Sequence, residues 1–402
     1  MRITRRNFLW SASLGPLSLI QIKKQGLPPM LTRKAIHSSK DPWIELNLAN
    51  MGWNLARIRS LVKVPVMAVI KANAYGHGLL EVGHYLEKCG IDFFMVGKLK
   101  EALSLRKTGV RTPVLNFGSF SREEAEELIL NNICQSVFDE EVFWLDRAAF
   151  RLGKKAEVNI HLDTGMGRMG IPFKKAPGFI EKVAAMKNLF IKGVSTTLTE
   201  DDDFDRQQLE RFTELCSTAE KKGINLGLKH AASSDGIMDL PQSWLDMVRP
   251  GIMLYGYYPS EKTQMEDGLS LRPVLELKAR VVSIKEFFPG DSLSYHRVYK
   301  VRKRQKIAVL PIGYSDGYPF QAVNKAYVLI RGRKHQLIAA VTANHALALL
   351  DKNSEVAVGD EAVLLGVQGK ERISAFDIAG WAGASTYKVL IGLNPLLPRK
   401  IV

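Results

Sequence analysis

The sequence predicts an α/β fold, with an N-terminal (β/α)8 TIM-like barrel followed by a C-terminal β domain. Between about residues 64 and 256, eight short apolar runs alternate with amphipathic segments rich in Glu, Leu, Ala and Arg. After about residue 271 the helical periodicity stops and short β-branched runs follow. Eight alternating units favour a closed parallel barrel. An open doubly wound sheet is the alternative, although no Gly-x-Gly-x-x-Gly fingerprint follows the first run.

The eight apolar runs are the predicted barrel strands, because each has the length and composition of a buried strand. They are residues 66–70, 93–96, 113–117, 133–138, 158–162, 190–194, 226–230 and 247–254. The amphipathic segments between them predict helices, for example over 101–108, 122–131 and 204–222. We assign residues 41–270 to the barrel.

The remaining residues, 271–402, predict a separate β domain. Its expected strands are 279–284, 306–312, 327–331, 337–341 and 362–365, separated by turn sequences such as Pro-Gly-Asp and Ser-Asp-Gly. The segment 41–48 is also strand-like and could join this domain.

Residues 1–40 predict a twin-arginine export signal and linker. Arg5 and Arg6 precede a modest apolar stretch, and no acidic residue occurs before Asp41. The stretch is too short and polar for a stable transmembrane helix, so membrane contact is expected only through the signal. We expect a periplasmic protein, anchored if the signal is uncleaved. A cytoplasmic protein with a disordered basic tail is the alternative.

Composition fits a globular enzyme, with 402 residues and 46% hydrophobic content. The net charge of +15 favours anionic ligands, but the basic residues are scattered and not interleaved with aromatics, which argues against nucleic-acid binding. The three cysteines have no metal-ligand spacing and are expected to be buried apolar residues. The acidic run 201–203 is interpreted as the start of a helix rather than a metal site, and no metal is predicted.

Lys71 is the leading candidate for chemistry. It lies in the run Val-Met-Ala-Val-Ile-Lys-Ala-Asn-Ala-Tyr-Gly-His-Gly (66–78), which reads as a buried strand, a terminal amine and a tight turn before a helix. Desolvation at the end of a barrel strand would lower the pKa of this amine and make it a usable nucleophile or base. A strand-end lysine that extends to solvent is the ordinary alternative.

Three further loops follow predicted strands, at the barrel end where catalytic groups lie. The Gly-rich turn 161–170 carries Arg168, the segment 230–236 carries Ser234, and the segment 248–252 carries Arg249. Ser and Gly residues in the last two loops suit a phosphate site. One amine, one phosphate cradle and two arginines together predict pyridoxal phosphate held as a Schiff base.

These motifs resemble those of the alanine racemases, which are fold-type III pyridoxal-phosphate enzymes, over about residues 41–399. The matching stretches are 68–78, Asp-Thr-Gly-Met-Gly-Arg (163–168), Val-Arg-Pro-Gly-Ile (248–252), Leu-Tyr-Gly (254–256), Ser-Tyr (294–295) and Gly-Tyr-Ser-Asp-Gly-Tyr (313–318). The resemblance implies an amino-acid racemase that makes D-alanine, with a broader substrate range also possible. It also implies a homodimer with shared active sites.

The resemblance implies a role for each matching residue. Lys71 would bind the cofactor and act as one acid/base group, and Tyr295 from the facing subunit would act as the other. Arg249 would face the pyridine nitrogen, and Arg168 would position the cofactor and the substrate carboxylate. The phosphate would be held by Tyr75, Ser234, Gly251, Ile252 and Tyr387. Tyr314 would line the substrate access route and Ala343 the substrate pocket. Without the family context, Tyr295 in a strand and Tyr387 would be interpreted as packing residues.

Four departures from the family pattern concern the surroundings of these residues. His161 stands where the family has a lysine, often carbamylated, so Arg168 needs another anionic partner. Thr197 aligns with the family's ring-stacking histidine, and Ser233 with its asparagine. The family's Cys-Met-Asp reads Thr-Ala-Asn (342–344), which should widen the substrate pocket. The alternatives are another fold-type III activity, such as a decarboxylase or a D-amino-acid lyase, and a non-catalytic cofactor-binding pseudoenzyme.

Overall fold

A computed structural model describes residues 40–260 and 268–402. The predicted export signal therefore lies outside the described residues, apart from Lys40. The strands are β1 (Trp43–Leu46), β2 (Met67–Val69), β3 (Phe93–Val96), β4 (Val114–Asn116), β5 (Ile133–Val137), β6 (Ala156–Asp163), β7 (Ile171–Pro172), β8 (Leu189–Ser195), β9 (Leu228–His230), β10 (Leu275–Arg280), β11 (Ser283–Phe287), β12 (Ser292–Leu293), β13 (Tyr299–Lys300), β14 (Gln305–Leu310), β15 (Tyr327–Ile330), β16 (Arg333–Val341), β17 (Ala346–Leu350), β18 (Glu361–Gln368), β19 (Glu371–Ile373) and β20 (Arg399–Ile401).

The helices alternate with the strands in the first part of the chain and return near its end. They are α1 (Leu48–Leu61), α2 (Leu79–Lys88), α3 (Leu99–Lys107), α4 (Ala125–Leu130), α5 (Val142–Leu152), α6 (Ala176–Ala184), α7 (Asp202–Lys221), α8 (Ser234–Asp239), α9 (Ala375–Ala382) and α10 (Thr386–Ile391). In the part of the chain that the structure describes, no helix is long and apolar enough to cross a membrane.

The predicted parallel barrel is confirmed. Its strands pair in the order β2-β3-β4-β5-β6-β8-β9, and a parallel bridge between Val66 and Val248 connects the two ends. The amide of Met67 donates to the carbonyl of Val248 at 2.8 Å, and the amide of Val69 donates to that of Pro250 at 3.0 Å. The predicted eighth strand is correct only at its start, because the chain leaves the barrel after Pro250 and forms a 3-10 helix, Ile252–Tyr255.

The predicted helix start at the acidic run is also confirmed. The Asp201 carboxylate accepts a hydrogen bond from the amide of Phe204 at 3.1 Å and caps α7. Carboxylates in the first turn of a helix are stabilised by the helix dipole. Among the cysteines, Cys134 and Cys216 are buried as expected, but Cys89 is only half-buried.

The C-terminal β domain contains one large sheet, in the order β11-β14-β17-β16-β15-β18-β10-β1-β20, with β19 paired to β18. The strand-like segment near residue 41 belongs to it: β1 pairs antiparallel with β10 and parallel with β20. The sheet thus contains a strand from the segment 41–270 that we assigned to the barrel. The β domain is confirmed, but it also contains the helices α9 and α10, which we did not predict from the sequence. Ser374 and Asp377 form a capping box at the start of α9, which is a signal visible in the sequence.

Candidate active site

Lys71 lies two residues after the end of β2, at the end of the barrel where the βα loops begin. The residues that follow it form an unusual left-handed turn, in which Ala72, Asn73 and Ala74 have φ values of 54°, 55° and 52°. Left-handed non-glycine residues are strained, and such strain is concentrated at functional sites. Glu101 holds the turn, because its carboxylate accepts from the amide of Asn73 at 2.9 Å and from that of Gly97 at 3.1 Å.

The surroundings of Lys71 favour its neutral form. A Cβ atom at Gly97 would lie 3.3 Å from the Cβ of Lys71, so the lysine stem passes directly over this glycine. The side chain is still accessible from the open end of the barrel. Desolvation by the barrel lowers the pKa of Lys71, the charges of Arg168 and Arg249 lower it further, and only Glu101 acts in the opposite sense. A neutral amine is the form that can act as a nucleophile or base.

Arg249 is buried and held by neutral acceptors. Its Nη1 donates to the carbonyl of His230 at 2.6 Å and to Nδ1 of the same residue at 2.7 Å. Its Nη2 donates to the carbonyls of Thr196 and Ala231 at 2.7 and 2.8 Å. Burial lowers the pKa of Arg249 to about 10, so the guanidinium stays charged at neutral pH. Its Nε–H has no acceptor among the described residues, and a ligand lone pair would satisfy it.

A second group contains the residues predicted to hold a phosphate, which we call the anion cradle. The Ser234 hydroxyl, at the start of α8, accepts from the amide of Gly251 at 2.9 Å. A Cβ atom at Gly251 would lie 2.6 Å from the Tyr75 hydroxyl, so any larger residue at this position would require Tyr75 to shift. The ring centroids of Tyr75 and Tyr387 are 5.9 Å apart. Ile252 follows Gly251 and is fully buried. The structure therefore brings together all five residues predicted to hold a phosphate.

Arg168 and His161 do not form a pair. Arg168 is exposed and has no hydrogen-bond or ion-pair partner among the described residues, yet its charge lowers the pKa of both Lys71 and His161. His161 is buried; its Nδ1 lies 3.0 Å from the Ser195 hydroxyl and its ring packs edge-on against Phe117. Burial, aided by the two arginines, lowers the pKa of His161 to about 3, so the ring is neutral.

Tyr295 lies apart from the barrel residues, on the surface of the β domain. Its side chain is 76% exposed, and it begins a single 3-10 turn rather than the predicted strand. Ser294 and His296 on either side have φ values of 65° and 55°, so the backbone that presents Tyr295 is strained. An exposed tyrosine on a strained turn does not act as a packing residue.

Tyr314 and Ala343 lie side by side in the β domain. The amide of Tyr314 donates to the carbonyl of Thr342 at 3.0 Å, and the amide and hydroxyl of Ser315 donate to the carbonyl of Ala343 at 3.0 and 2.7 Å. Asn344 donates to the Ser315 hydroxyl at 2.9 Å. Tyr314 is exposed and Ala343 is half-buried. The predicted site residues thus form two groups, one in the barrel mouth and one on the exposed β-domain surface.

Comparisons with known proteins agree with this arrangement. Residues 46–259 match the N-terminal domain of alanine racemase and residues 274–401 match its C-terminal domain. The chain belongs to the alanine racemase family. It is 38% identical to alanine racemase 2 of Caldanaerobacter subterraneus subsp. tengcongensis, over 89% of this chain and 93% of that protein. These matches identify the chain as an enzyme, an isomerase of this family.

Solved alanine racemase structures share the fold over almost the whole chain. The enzyme of Clostridium difficile 630 is 32% identical, with a TM-score of 0.85 over 90% of this chain and 95% of that one. The enzyme of a D-cycloserine-producing Streptomyces lavendulae is 26% identical, with a TM-score of 0.87 over 91% and 98%. The family and the barrel-plus-β-domain fold predicted from the sequence are both confirmed.

Sequence reasoning missed three residues of the site. Glu101 shapes the turn after Lys71, and His230 and Thr196 hold Arg249. His230 was visible as the last residue of a predicted strand that leads into the Ser234 loop. No sequence pattern indicated Glu101 or Thr196. Glu101 binds backbone amides, and Thr196 binds Arg249 through its own backbone carbonyl.

Proposed function

We propose that this protein is a pyridoxal-phosphate-dependent racemase that interconverts L- and D-alanine and also accepts larger amino acids. The observation that carries the proposal is the environment of Lys71: an accessible amine at the end of a barrel strand, whose pKa is lowered by burial and by two arginines. The names of its relatives agree, since they are alanine racemases.

The residues present fit the cofactor. The Ser234 hydroxyl and the amide of Gly251 lie where a phosphate would bind, and the space beside Tyr75 depends on the absence of a Cβ at Gly251. Tyr387 and Ile252 complete this cradle, and Arg249 offers an unused Nε–H to the ring nitrogen. When bound, pyridoxal phosphate supplies an electron sink that makes the substrate's α-hydrogen acidic.

Two residues of the chain would move the proton. Lys71, as a neutral amine, accepts the α-hydrogen from one face of the substrate, and Tyr295 donates a proton to the other face. Arg249 retains its own protons, because a guanidinium does not give one up near neutral pH. It therefore leaves the ring nitrogen unprotonated. This limits the electron sink and favours prompt return of a proton over side reactions. Arg168 is available to bind the substrate carboxylate.

A homodimer follows from the position of Tyr295. Its 3-10 turn lies in the β domain, and its side chain is 76% exposed. We propose that Tyr295 of a second copy enters the barrel mouth, so each active site is shared.

We expect a broad substrate range because of the side chains at residues 342–344. Ala343 has a short side chain where the family has methionine, and the amide of Asn344 is held by Ser315. Less side-chain volume in this position leaves room for a longer substrate side chain.

The decisive experiment is an α-proton exchange screen in heavy water, across all amino acids, on the dimeric holoenzyme. We expect exchange with alanine and several larger amino acids, and none with Lys71→Ala. Release of carbon dioxide would instead indicate a decarboxylase, and aldehyde release a lyase. Cofactor absorbance without any exchange would indicate a pseudoenzyme and refute the proposal.

Export to the periplasm is a separate proposal that rests on the sequence alone. Arg5 and Arg6 precede the apolar stretch, and the twin-arginine route carries folded proteins with their cofactors. Cell fractionation of the full chain tests it. Changing Arg5 and Arg6 to lysine should retain the protein in the cytoplasm, and unchanged fractionation would contradict the proposal.

A further inference from the structure

A chain of buried polar side chains continues inward from Arg249. His230 Nε2 lies 2.9 Å from Asn159 Oδ1, Asn159 Nδ2 lies 2.8 Å from the Ser195 hydroxyl, and that hydroxyl lies 3.0 Å from His161 Nδ1. All four side chains are at most 2% exposed. Burial of so many polar groups is stable only when each of them is satisfied.

The strand register places this chain of residues. Ser195 on β8 lies opposite both His161 on β6 and His230 on β9, so three adjacent strands contribute side chains at one level of the barrel. Asn159 lies opposite Gly193. A Cβ atom at Gly193 would lie 2.7 Å from the carbonyl oxygen of Leu228, 3.0 Å from Asn159 Oδ1 and 3.5 Å from His230 Nε2, so this glycine leaves space for the neighbouring strand and for the hydrogen bond.

The directions of the hydrogen bonds from Arg249 to Ser195 follow from the first member of this chain. A guanidinium has only donors, so His230 Nδ1 accepts from Arg249 and the imidazole proton is on Nε2. That proton is donated to Asn159 Oδ1, which turns the amide nitrogen toward the Ser195 hydroxyl. Nδ1 of His161 can donate or accept in its bond with that hydroxyl. His230 is then neutral and carries its proton on Nε2.

We infer that Asn159, Ser195 and His161 are positioning residues for Arg249, which act by holding His230 in one tautomer and one orientation. The inference rests on the proposed function, in which Arg249 faces the ring nitrogen of the cofactor. The neutral His161 thus does not replace the family's anionic partner of Arg168. It ends a hydrogen-bond chain that supports the other arginine.

Ser195→Ala tests the inference, and Ser136→Ala is its matched control. Ser136 is also a buried serine on a barrel strand, but its hydroxyl has no hydrogen-bond partner among the described residues. Both substitutions remove one buried hydroxyl. Only Ser195→Ala removes the hydroxyl that lies 2.8 Å from Asn159 Nδ2 and 3.0 Å from His161 Nδ1, which leaves Asn159 Nδ2 with only the 3.5 Å contact to the carbonyl of Ile160.

The first readout is the nitrogen-15 spectrum of the histidine rings in the apoenzyme. The eight histidines of the chain make the spectrum tractable, and a His230→Gln and a His161→Gln variant assign the two rings. We expect the His230 ring to show a protonated Nε2 and a bare Nδ1 from pH 6 to 9. In Ser195→Ala, the signals of both rings should shift. Ser136→Ala should leave both patterns unchanged.

The second readout is the absorbance and affinity of added pyridoxal phosphate. We expect Ser195→Ala to weaken cofactor binding by about fivefold to tenfold and to make the absorbance maximum depend on pH, because a displaced Arg249 no longer keeps the ring nitrogen unprotonated. Equal behaviour of the two variants in both readouts, or a protonated Nδ1 on the His230 ring of the unmodified protein, would overturn the inference. Absence of cofactor binding by the unmodified protein would refute the proposed function and leave the tautomer result standing.

Discussion

Replacing Gly251 by alanine gives a direct test of the anion cradle. The added Cβ would lie 2.6 Å from the Tyr75 hydroxyl and 3.2 Å from its Cζ atom, and the first distance is too short for any real contact. Tyr75 cannot withdraw easily, because it is buried between the rings of Tyr255 and Tyr387, at centroid distances of 5.0 and 5.9 Å. We therefore expect Tyr75 to be pushed toward the phosphate position.

The expected loss of cofactor affinity follows from this crowding. Overpacking of a filled site costs about 1–3 kcal/mol, and each 1.4 kcal/mol changes a dissociation constant about tenfold. If the cofactor phosphate needs the space that Tyr75 now takes, Gly251→Ala should weaken pyridoxal-phosphate binding by about 5-fold to 150-fold. The fold itself should persist, because the barrel core around the site is unchanged.

The assay is a titration of apoenzyme with pyridoxal phosphate, followed by absorbance and by quenching of protein fluorescence. Gly178→Ala is the matched control, since Gly178 lies in α6 and a Cβ there would meet nothing within 4 Å. This control should bind the cofactor normally. An unchanged dissociation constant for Gly251→Ala would refute the assignment of the cradle.

Three other outcomes are expected. Burial and nearby carboxylates raise the pKa of Asp235 from 3.8 to about 6. The stability of the apoenzyme should therefore fall as the pH rises from about 4 to 6, because the folded state favours the protonated carboxyl. Thermal unfolding should show a smaller fall for Asp235→Asn. The Asn54 side chain makes three hydrogen bonds to backbone groups that lie between the barrel and the β domain, two of them with Arg272. In urea unfolding, Asn54→Ala should lower the free energy of unfolding by about 2–4 kcal/mol. Mixing inactive Lys71→Ala and Tyr295→Phe chains should restore about a quarter of normal activity if sites are shared between subunits, and no recovery would exclude sharing.

Much of the fold could be predicted because its signals are local. Seven of the eight apolar runs coincide with barrel strands and the eighth does so only at its start, since buried parallel strands read as short continuous apolar segments. The position of Lys71 follows from the same signal, because a polar residue directly after such a run lies at the end of the barrel. The acidic run could be interpreted as the start of α7 for a similar reason, because a capping side chain binds an amide only two or three residues further along the chain.

The features that could not be predicted depend on long-range contacts or on backbone strain. Four successive residues after Lys71 have positive φ although none is glycine, and the distant Glu101 holds two of the amides around that turn. The turn at Tyr295 is strained in the same way. The bond between Asn159 and His230 joins residues 71 apart in sequence, and it requires the small volume of Gly193 between them.

Under the proposed function, the charges around Lys71 account for a base in a chain that lacks the family's anion. Arg168 and Arg249 both lower the pKa of Lys71, and only Glu101 opposes them. An anionic group at position 161 would have screened Arg168 and favoured the charged amine. With a neutral histidine there, Arg168 keeps its full effect on Lys71 and has no partner among the described residues. The same substitution therefore favours the neutral base and leaves a cation available for the substrate carboxylate.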